Sequence, residues 1–319
     1  MFVMSSLLYL RPEVQALKEK LDDFVENECI PAEAAFDEHL KGRHGTERWS
    51  LDAVPPILEH LKSRAKLLGL WNLFIPLHLI DKIPDPSLAP SIQLTYREYG
   101  ILCESLGRCP MIAPEACNTS APDTGNMEVL LEFGTPQQRT KYLLPLLRGE
   151  IRSTFLMTEP QVASSDPTNL ETKLVKRRNK TTGQWEYILT GRKWWSTGAM
   201  DPRCRLALVV ARMEYETMED NAMGVTNQGG PSPHGTHTIV AVPLPHPAVK
   251  CVRPLTCFGY DDAPHGHAEV ELYGVVLSSE DLILGEGSGF RVSQARLGPG
   301  RIHHCMRAIG MGRFKILMK

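Results

Sequence analysis

The sequence lacks a strong charge of either sign, a long apolar run and any paired arrangement of cysteines. Its 319 residues include 35 Lys and Arg against 37 Asp and Glu, a formal net charge of -2. A balance this close to zero gives no bulk electrostatic reason to expect nucleic acid or an anionic membrane as a partner. The longest apolar runs, such as Leu206 to Ala211, are far shorter than the ~20 residues of a transmembrane helix. We therefore expect no nucleic-acid partner and no transmembrane segment.

The eight cysteines and eleven histidines do not form a metal-binding signature. No Cys-x-x-Cys pair is present, and no cysteine pair has zinc-finger spacing to a histidine pair. His265 with His267, or His234 with His237, could bind a metal in principle, but the sequence positions no third ligand for either pair. We expect no metal, and we expect the scattered cysteines to be buried apolar residues in a reducing compartment.

The first half of the chain has the spacing of amphipathic helices. Apolar residues recur at three- and four-residue steps at Val14, Leu17, Leu21 and Phe24. Pro31 is expected to end this first helix. Similar spacing predicts helices over 57–68, 94–106 and 127–133. Thr135 and Gln138 form a capping box, and Pro145 is expected to bend or shorten the helix that this box begins.

Near Glu150 the pattern changes to short segments rich in β-branched and aromatic residues. Strands are predicted over 153–157, 173–176, 185–189, 206–210, 236–242 and 268–272. Thr182-Gly183 is typical of a hairpin turn. Helical spacing returns at Phe290, with an expected interruption at Gly298-Pro299-Gly300. The sequence thus predicts an α+β chain: an N-terminal helical domain (1–150), a middle antiparallel β domain (151–278) and the start of an incomplete C-terminal helical bundle (279–319).

Two segments of the β half combine small, hydroxyl and aromatic residues. The run from Phe155 to Asp166 leaves a strand and enters a loop whose amides and hydroxyls could approach an anionic or strongly accepting group. Taken alone, a plain polar turn is the preferred interpretation. In the run from Gly191 to Gly198, the neighbouring Trp194 and Trp195 should face opposite sides of a strand, so one indole is free to cover a flat ligand. Simple packing is the alternative.

Together and in this order, the two segments resemble the acyl-CoA dehydrogenase family. The family has a Thr-Glu-Pro loop that ends in Ser-Asp, followed by a Gly-x-Lys-x-Trp-x-Thr strand. The matching positions are Thr158-Glu159-Pro160, Ser165-Asp166, Gly191, Lys193, Trp195 and Thr197. The likeness extends to 133–143, 284–290 and 297–301. The sequence of residues 298–307 resembles that of the family branch whose vertebrate members have an appended kinase-like domain.

The resemblance implies FAD as cofactor and an acyl-CoA thioester as substrate. By resemblance, Thr158 would bond the pyrimidine end of the flavin, Trp195 would cover one ring face and Thr197 would donate towards N5. The full set of implied cofactor residues is Phe155, Leu156, Met157, Thr158, Glu159, Pro160, Ser164, Ser165, Trp195, Ser196 and Thr197. The implied substrate residues are Ser165, Gly298, Pro299, Gly300 and Arg301. The glycines of the family's loop are absent here, so the path of the loop between Thr158 and Ser165 is expected to differ.

The implied reaction introduces an α,β double bond: a carboxylate removes the α-proton while the β-hydrogen leaves as hydride to flavin N5. Some family members have a glutamate directly before the arginine matched by Arg301, but here that residue is Gly300. The catalytic base is therefore unknown and is expected beyond Lys319. A non-catalytic flavin- or acyl-CoA-binding relative, acting as a subunit or an inactive paralogue, is the alternative.

The resemblance also implies a homo-oligomer, with electron-transfer flavoprotein or O2 as electron acceptor. It implies an intracellular protein of the peroxisome or the mitochondrial matrix. No targeting signal supports either compartment, because Met1 to Leu10 has no basic lead-in and Arg11-Pro12 interrupts it.

Overall fold

The computed structural model describes residues 10–216 and 233–317. The N-terminal segment compared above with targeting sequences falls almost wholly outside these ranges. The α-helices are α1 Pro12–Phe24, α2 Ile30–Leu40, α3 Pro56–Leu68, α4 Tyr96–Leu106, α5 Ala113–Ala116, α6 Asp123–Phe133, α7 Pro136–Gln138, α8 Leu144–Arg148 and α9 Gly289–Leu317. The strands are β1 Arg152–Leu156, β2 Lys173–Arg178, β3 Trp185–Thr197, β4 Cys204–Tyr215, β5 His237–Pro243, β6 Val249–Leu255, β7 His267–Leu277 and β8 Leu282–Ile283.

Two compact units divide the described residues. A helical unit contains 10–43, 52–124 and 297–317, and a sheet unit contains 44–51 and 125–296. These units do not follow the predicted boundaries at 150/151 and 278/279, so the three-domain division stays a prediction. The element types do agree with the predicted α+β fold class. No helix in the described ranges is both long and apolar enough to cross a membrane.

The first helix buries the predicted apolar stripe but does not end at Pro31. Its residues Val14, Leu17, Leu21 and Phe24 are all buried. A π-helical turn at Val25–Cys29 follows α1, and α2 continues directly through Pro31. In an α-helix, proline lacks the N–H for the hydrogen bond to the carbonyl four residues earlier, and its ring clashes with that carbonyl. Here that carbonyl lies within the π-helical turn, where each N–H bonds to the carbonyl five residues earlier. A π-helical turn at Arg139–Leu143 precedes Pro145 in the same way and is the irregularity that the sequence predicted.

In the helical unit, α9 packs against α4 at two glycines. A side chain at Gly107 would overlap the backbone of Arg307, and one at Gly310 would overlap the carbonyl of Glu104. On the same two helices the Tyr99 and His303 rings meet edge to face, with centroids 4.5 Å apart. Burial lowers the pKa of His303 to about 4. The end of the chain therefore has a packing partner, which the sequence did not reveal.

Helix α9 continues through the predicted interruption at Gly298-Pro299-Gly300, and Pro299 lies inside it. A residue before proline is usually kept out of the helical region, in part by its own Cβ. Gly298 has no Cβ, which removes that part of the conflict. Ile302 and Ile309 are exposed, whereas His303 and Arg307 are buried. Ile302 nevertheless lies next to α4, because a Cβ at Gly100 would stand 3.6 Å from its Cγ2.

The described strands form one eight-stranded sheet in the order β6-β7-β3-β2-β4-β5-β8, with β1 also pairing with β4. The sheet is mixed, not purely antiparallel as predicted. Strands β1 and β2 both run parallel to β4, where β1 pairs along Cys204 to Val209 and β2 along Arg212 to Tyr215. The remaining pairs are antiparallel. The long strand β4 therefore pairs with both β1 and β2, each along a different part of its length.

Alternate residues of the sheet strands form the core of the sheet unit. On β4 the buried cluster takes Ala207, Val209 and Ala211, the spacing of one strand face. The predicted hairpin joins β2 to β3, with Gly183 at φ +70°. The predicted capping box at Thr135 and Gln138 is also confirmed.

Candidate functional site

The two segments singled out from the sequence lie side by side in the sheet unit. The amide of Trp194 donates to the Thr158 carbonyl at 3.0 Å, and the Thr158 hydroxyl donates to the Trp194 carbonyl at 2.8 Å. Within β1, four residues before Thr158, the Thr154 hydroxyl donates to the Thr197 carbonyl at 2.8 Å. The chain thus brings the end of β1 and the end of β3 into direct contact.

A buried ion pair fixes the turn at Thr158. The side chains of Lys193 and Glu159 are 0% and 3% exposed, and Lys193 Nζ lies 2.7 Å from Glu159 Oε1. Lys193 Nζ also donates to the carbonyls of Met157 at 2.9 Å and Val210 at 2.7 Å. The second carboxylate oxygen of Glu159 accepts from the Glu171 amide at 2.8 Å. Both the ammonium group of Lys193 and the carboxylate of Glu159 therefore make their hydrogen bonds within the protein.

Burial opposes charge on both members of this pair. It lowers the pKa of Lys193 to about 8, while Glu159 partly offsets that effect. For Glu159, hydrogen bonds from Lys193 and from neighbouring amides outweigh burial and leave its pKa below the ordinary value. The pair is consequently charged near neutral pH. It anchors the loop after β1 and does not present a carboxylate to a ligand.

Trp195 occupies a bulge in β3 with an unusual backbone conformation. Lys193 pairs with Val270 and Ser196 with Ala268, so two residues of β3 lie opposite one residue of β7. Trp195 has φ +49°, and its side chain is 42% exposed. A bulky residue in the left-handed region is a genuine outlier, and such strain is concentrated at ligand and active sites. The bulge also replaces the strict alternation that the sequence predicted for Trp194 and Trp195.

Several predicted cofactor residues face the interior. Leu156 and Ser196 are each 1% exposed, so their side chains belong to the core. The contact of Leu156, Ser196 and Glu159 with the cofactor stays a prediction. The hydroxyl of Ser164 accepts from the Glu159 amide at 2.8 Å and closes the loop on itself. Ser165 is exposed, and Pro160 is partly exposed.

Phe155 lies beside a buried polar cluster in the sheet unit. The Arg296 guanidinium is 4.0 Å from the centroid of its ring, and Arg296 Nε donates to Asn126 Oδ1 at 3.0 Å. Glu128 is buried, and its Oε1 has no hydrogen-bond partner among the described residues. Burial raises the pKa of Glu128 to about 8, although Arg296 opposes the shift. Glu128 is therefore mostly protonated at pH 7.

The predicted substrate residues Gly298, Pro299, Gly300 and Arg301 belong to the helical unit. All four lie on α9, and Arg301 is exposed. They form one turn and a little more of a regular helix instead of the expected break. No group of three His, Cys, Asp or Glu residues within the described ranges is arranged to hold a metal ion.

His267 and Asp262 are polar residues at this site that the sequence did not identify. The Thr197 hydroxyl is 2.9 Å from His267 Nδ1, and His267 Nε2 is 2.8 Å from Asp262 Oδ2. The sequence offered His267 only as half of an unconvincing metal pair. What reveals the contact is the pairing of Thr197 with His267 across β3 and β7, a long-range register that no local spacing encodes.

A helical N-terminal region, a mixed sheet with a flat aromatic surface at a bulge and a following helix define an acyl-CoA dehydrogenase-like fold. The family model for the acyl-CoA dehydrogenase middle domain matches residues 154–273. A solved acyl-CoA dehydrogenase homologue from Mycobacterium abscessus is 36% identical, with a TM-score of 0.80, over 96% of this chain and 69% of that one. This chain belongs to the acyl-CoA dehydrogenase family.

Two further relatives define the extent of the match. Acyl-CoA dehydrogenase family member 10 of Mus musculus is 42% identical over 97% of this chain, and this chain spans only 26% of that protein. A glutaryl-CoA dehydrogenase from Mycobacterium smegmatis, solved in complex with FADH2, shares the fold. That protein is 18% identical with a TM-score of 0.67, over 98% of this chain and 65% of that one.

Proposed function

We propose that this chain binds FAD on the sheet unit, binds an acyl-CoA thioester, and takes part in α,β-dehydrogenation of the acyl group. The observation that carries the proposal is Trp195. Its left-handed backbone costs conformational energy, and its ring is left half-exposed instead of being packed into the core. A flat aromatic ligand would cover that surface and offset the cost.

The residues around Trp195 fit a flat heterocycle with polar edges. The Thr158 hydroxyl is already bonded to the Trp194 carbonyl, so in this proposal the Thr158 amide serves the pyrimidine end. Thr197, two residues beyond Trp195, supplies a hydroxyl for the N5 side. The buried Lys193 and Glu159 pair holds this geometry without touching the ligand. Gly298 to Arg301 would border the acyl-CoA, with Arg301 as its cation.

When bound, the flavin would supply the hydride acceptor, and the protein would supply position and exclude water. Removal of the α-proton needs a carboxylate. Gly300 occupies the position where some family members have one, and the proposal assigns no base within this chain. The electron acceptor would be electron-transfer flavoprotein or O2, and the assembly a homo-oligomer.

The test is the flavin itself. Purified protein should be yellow, and anaerobic addition of acyl-CoA should bleach the flavin absorbance if the chain turns over. A yellow protein that acyl-CoA perturbs but does not bleach would favour the alternative of a non-catalytic binding relative. A protein that binds no FAD at micromolar concentration would refute the proposal.

Trp195→Ala is expected to weaken FAD binding about tenfold, because an aromatic stacking pair contributes roughly 0.5–1.5 kcal/mol beyond its buried area. Trp185→Ala is the matched control, since Trp185 lies at the start of the same strand and packs against Lys176 and Arg178 instead. Fluorescence titration of FAD measures both variants. Equal affinities for the two would contradict the role given to Trp195.

A further inference from the structure

Three side chains form a continuous hydrogen-bonded row behind the proposed flavin surface. Thr197 ends β3, His267 begins β7 and Asp262 lies in the turn before β7. The Thr197 hydroxyl is 2.9 Å from Nδ1 of His267, and Nε2 of the same ring is 2.8 Å from Asp262 Oδ2. The His267 and Trp195 ring centroids are 6.0 Å apart. The imidazole thus lies next to the residues proposed to meet the flavin.

The turn that contains Asp262 is tightly fixed. Asp262 itself has φ +53°, and its carbonyl accepts from the Gly266 amide at 2.9 Å. The Gly266 carbonyl in turn accepts from the Gly198 amide at 2.9 Å, the residue after Thr197. Gly266 has φ +62°, and a Cβ there would lie 2.6 Å from the Trp49 ring. The backbone therefore holds the carboxylate and the hydroxyl on opposite edges of one imidazole.

Asp262 determines the direction of the hydrogen bonds while the imidazole is neutral. A carboxylate can only accept, so Nε2 carries the proton and Nδ1 does not. The Thr197 hydroxyl must then donate to Nδ1, which leaves its oxygen lone pairs for a ligand. When the imidazole is protonated, Nδ1–H donates to the Thr197 oxygen. The hydroxyl proton is then available to a ligand.

We infer that His267 and Asp262 are positioning residues that set whether Thr197 accepts from or donates to the flavin N5 edge. This inference rests on the proposed function. N5 of an oxidised flavin accepts a hydrogen bond, whereas N5 of the reduced flavin carries an N–H. Neutral His267 therefore suits the reduced flavin, and protonated His267 suits the oxidised one. Two-electron reduction, which takes up one or two protons at the flavin from solvent, would release up to one proton from His267.

Most charged groups on the elements packed around His267 are paired with one another, and the exposed Lys250 of β6 lies opposite Glu271 of β7. This matters because a free charge would compete with Asp262 for control of the ring. Asp262 also neutralises the imidazolium when it forms, so the reversal of the hydroxyl outweighs a net charge effect on the flavin. The paired groups are Asp261 with Arg48, Glu269 with Arg192 and Arg253, and Asp201 with Arg203 and His265.

The experiment measures the midpoint potential of FAD in the reconstituted protein from about pH 5 to 8, the range in which an unperturbed histidine side chain changes charge. In the wild type, the slope of potential against pH should become shallower by up to one proton per two electrons across the histidine titration. His267→Gln should remove this change. His265→Gln is the matched control, because His265 lies in the same turn and bonds Asp201. It should retain the wild-type curve.

Two results from the variants would overturn the inference: a His267→Gln curve equal to that of the wild type, or a His265→Gln curve that also loses the change in slope. A wild-type slope that becomes steeper would overturn it too, because a simple cationic histidine would give that result. The protein without flavin gives a second and independent readout. Nitrogen-15 NMR should find the neutral His267 ring protonated at Nε2, and Asp262→Asn should weaken that preference. The opposite tautomer in the wild type would overturn the inference even if FAD binds, whereas failure to bind FAD would refute the proposed function alone.

Discussion

Replacing Lys193 with methionine gives the sharpest test of how the site is built. Lys193→Met keeps most of the side-chain volume but leaves Glu159 charged and buried, with only amide donors to satisfy it. It also removes the donor to the carbonyls of Met157 and Val210. Breaking a buried pair from one side costs roughly 3–5 kcal/mol. That is a large share of a domain stability of about 5–15 kcal/mol.

Urea denaturation followed by circular dichroism measures the effect. With a denaturant slope of roughly 2–3 kcal/mol per molar urea, the midpoint should fall by about 1–2.5 M. Lys173→Met is the control, because Lys173 pairs with Glu214 in the same sheet but is 53% exposed. Such a pair contributes at most about 1 kcal/mol. Equal midpoints for the two variants would refute the assignment of Lys193 as the anchor of the site.

A second variant separates the loss of the charge pair from the loss of packing. Glu159→Gln combined with Lys193→Met removes the uncompensated charge, while the new side-chain amide oxygen can still accept from the backbone amides after the loop. The double variant should recover more than half of the lost stability. FAD affinity should fall in the single variant, because Met157 and Thr158 lose their support, and it should recover in part in the double variant. A double variant no more stable than Lys193→Met would show that charge is not the cause.

Three further variants test packing and buried ionisation. Gly266→Ala should lower the free energy of unfolding by about 2–4 kcal/mol, since a left-handed backbone costs roughly 1–2 kcal/mol and the new methyl overlaps Trp49. Gly183 has a similar φ but lies in open space, so Gly183→Ala should lose only the free energy that the left-handed backbone costs. Equal losses for the two variants would show that overlap with Trp49 is not a cause. The pKa of Glu128 is raised to about 8, so its stabilising contribution is complete below the ordinary value and is lost as pH rises to 8. As pH rises, the free energy of unfolding of Glu128→Gln should therefore increase relative to that of the wild type by up to about 1.4 kcal/mol per pH unit. A difference between the two that does not change with pH would exclude this. The pKa of His303 is lowered to about 4, so stability present above the ordinary histidine value is lost as pH falls towards 4. His303→Phe should flatten the acid side of the unfolding curve, and an unchanged curve would argue against a buried neutral ring.

The local features of the fold could be predicted from the sequence. The capping box at Thr135 and the hairpin at Gly183 depend on residues a few positions apart, and both are present. Proline was interpreted too strictly at Pro31 and Pro299, which were both treated as breaks. A π-helical turn or a preceding glycine lets a helix continue through each of them.

The site was predictable only as two segments. Trp195 and Thr158 could be found from the family's motifs, but the bulge that turns Trp195 outward depends on the register of β3 against β7. The same register brings His267 behind Thr197. Glu159 was expected to contact the cofactor, and only its partner Lys193, 34 residues away, shows that its carboxylate points inward. Contacts of this range depend on tertiary packing and leave no local spacing.

The two bare glycines at the crossing of α4 and α9 restrict substitution unevenly. Because backbone meets backbone at Gly107 and Gly310, even a single methyl group at either position would overlap the facing backbone and force it to move. The side chain of Ile309, by contrast, is half-exposed. Random mutagenesis of α9 should therefore recover many side chains on its exposed face and almost none at residue 310, which would make that position a marker of whether the crossing is intact.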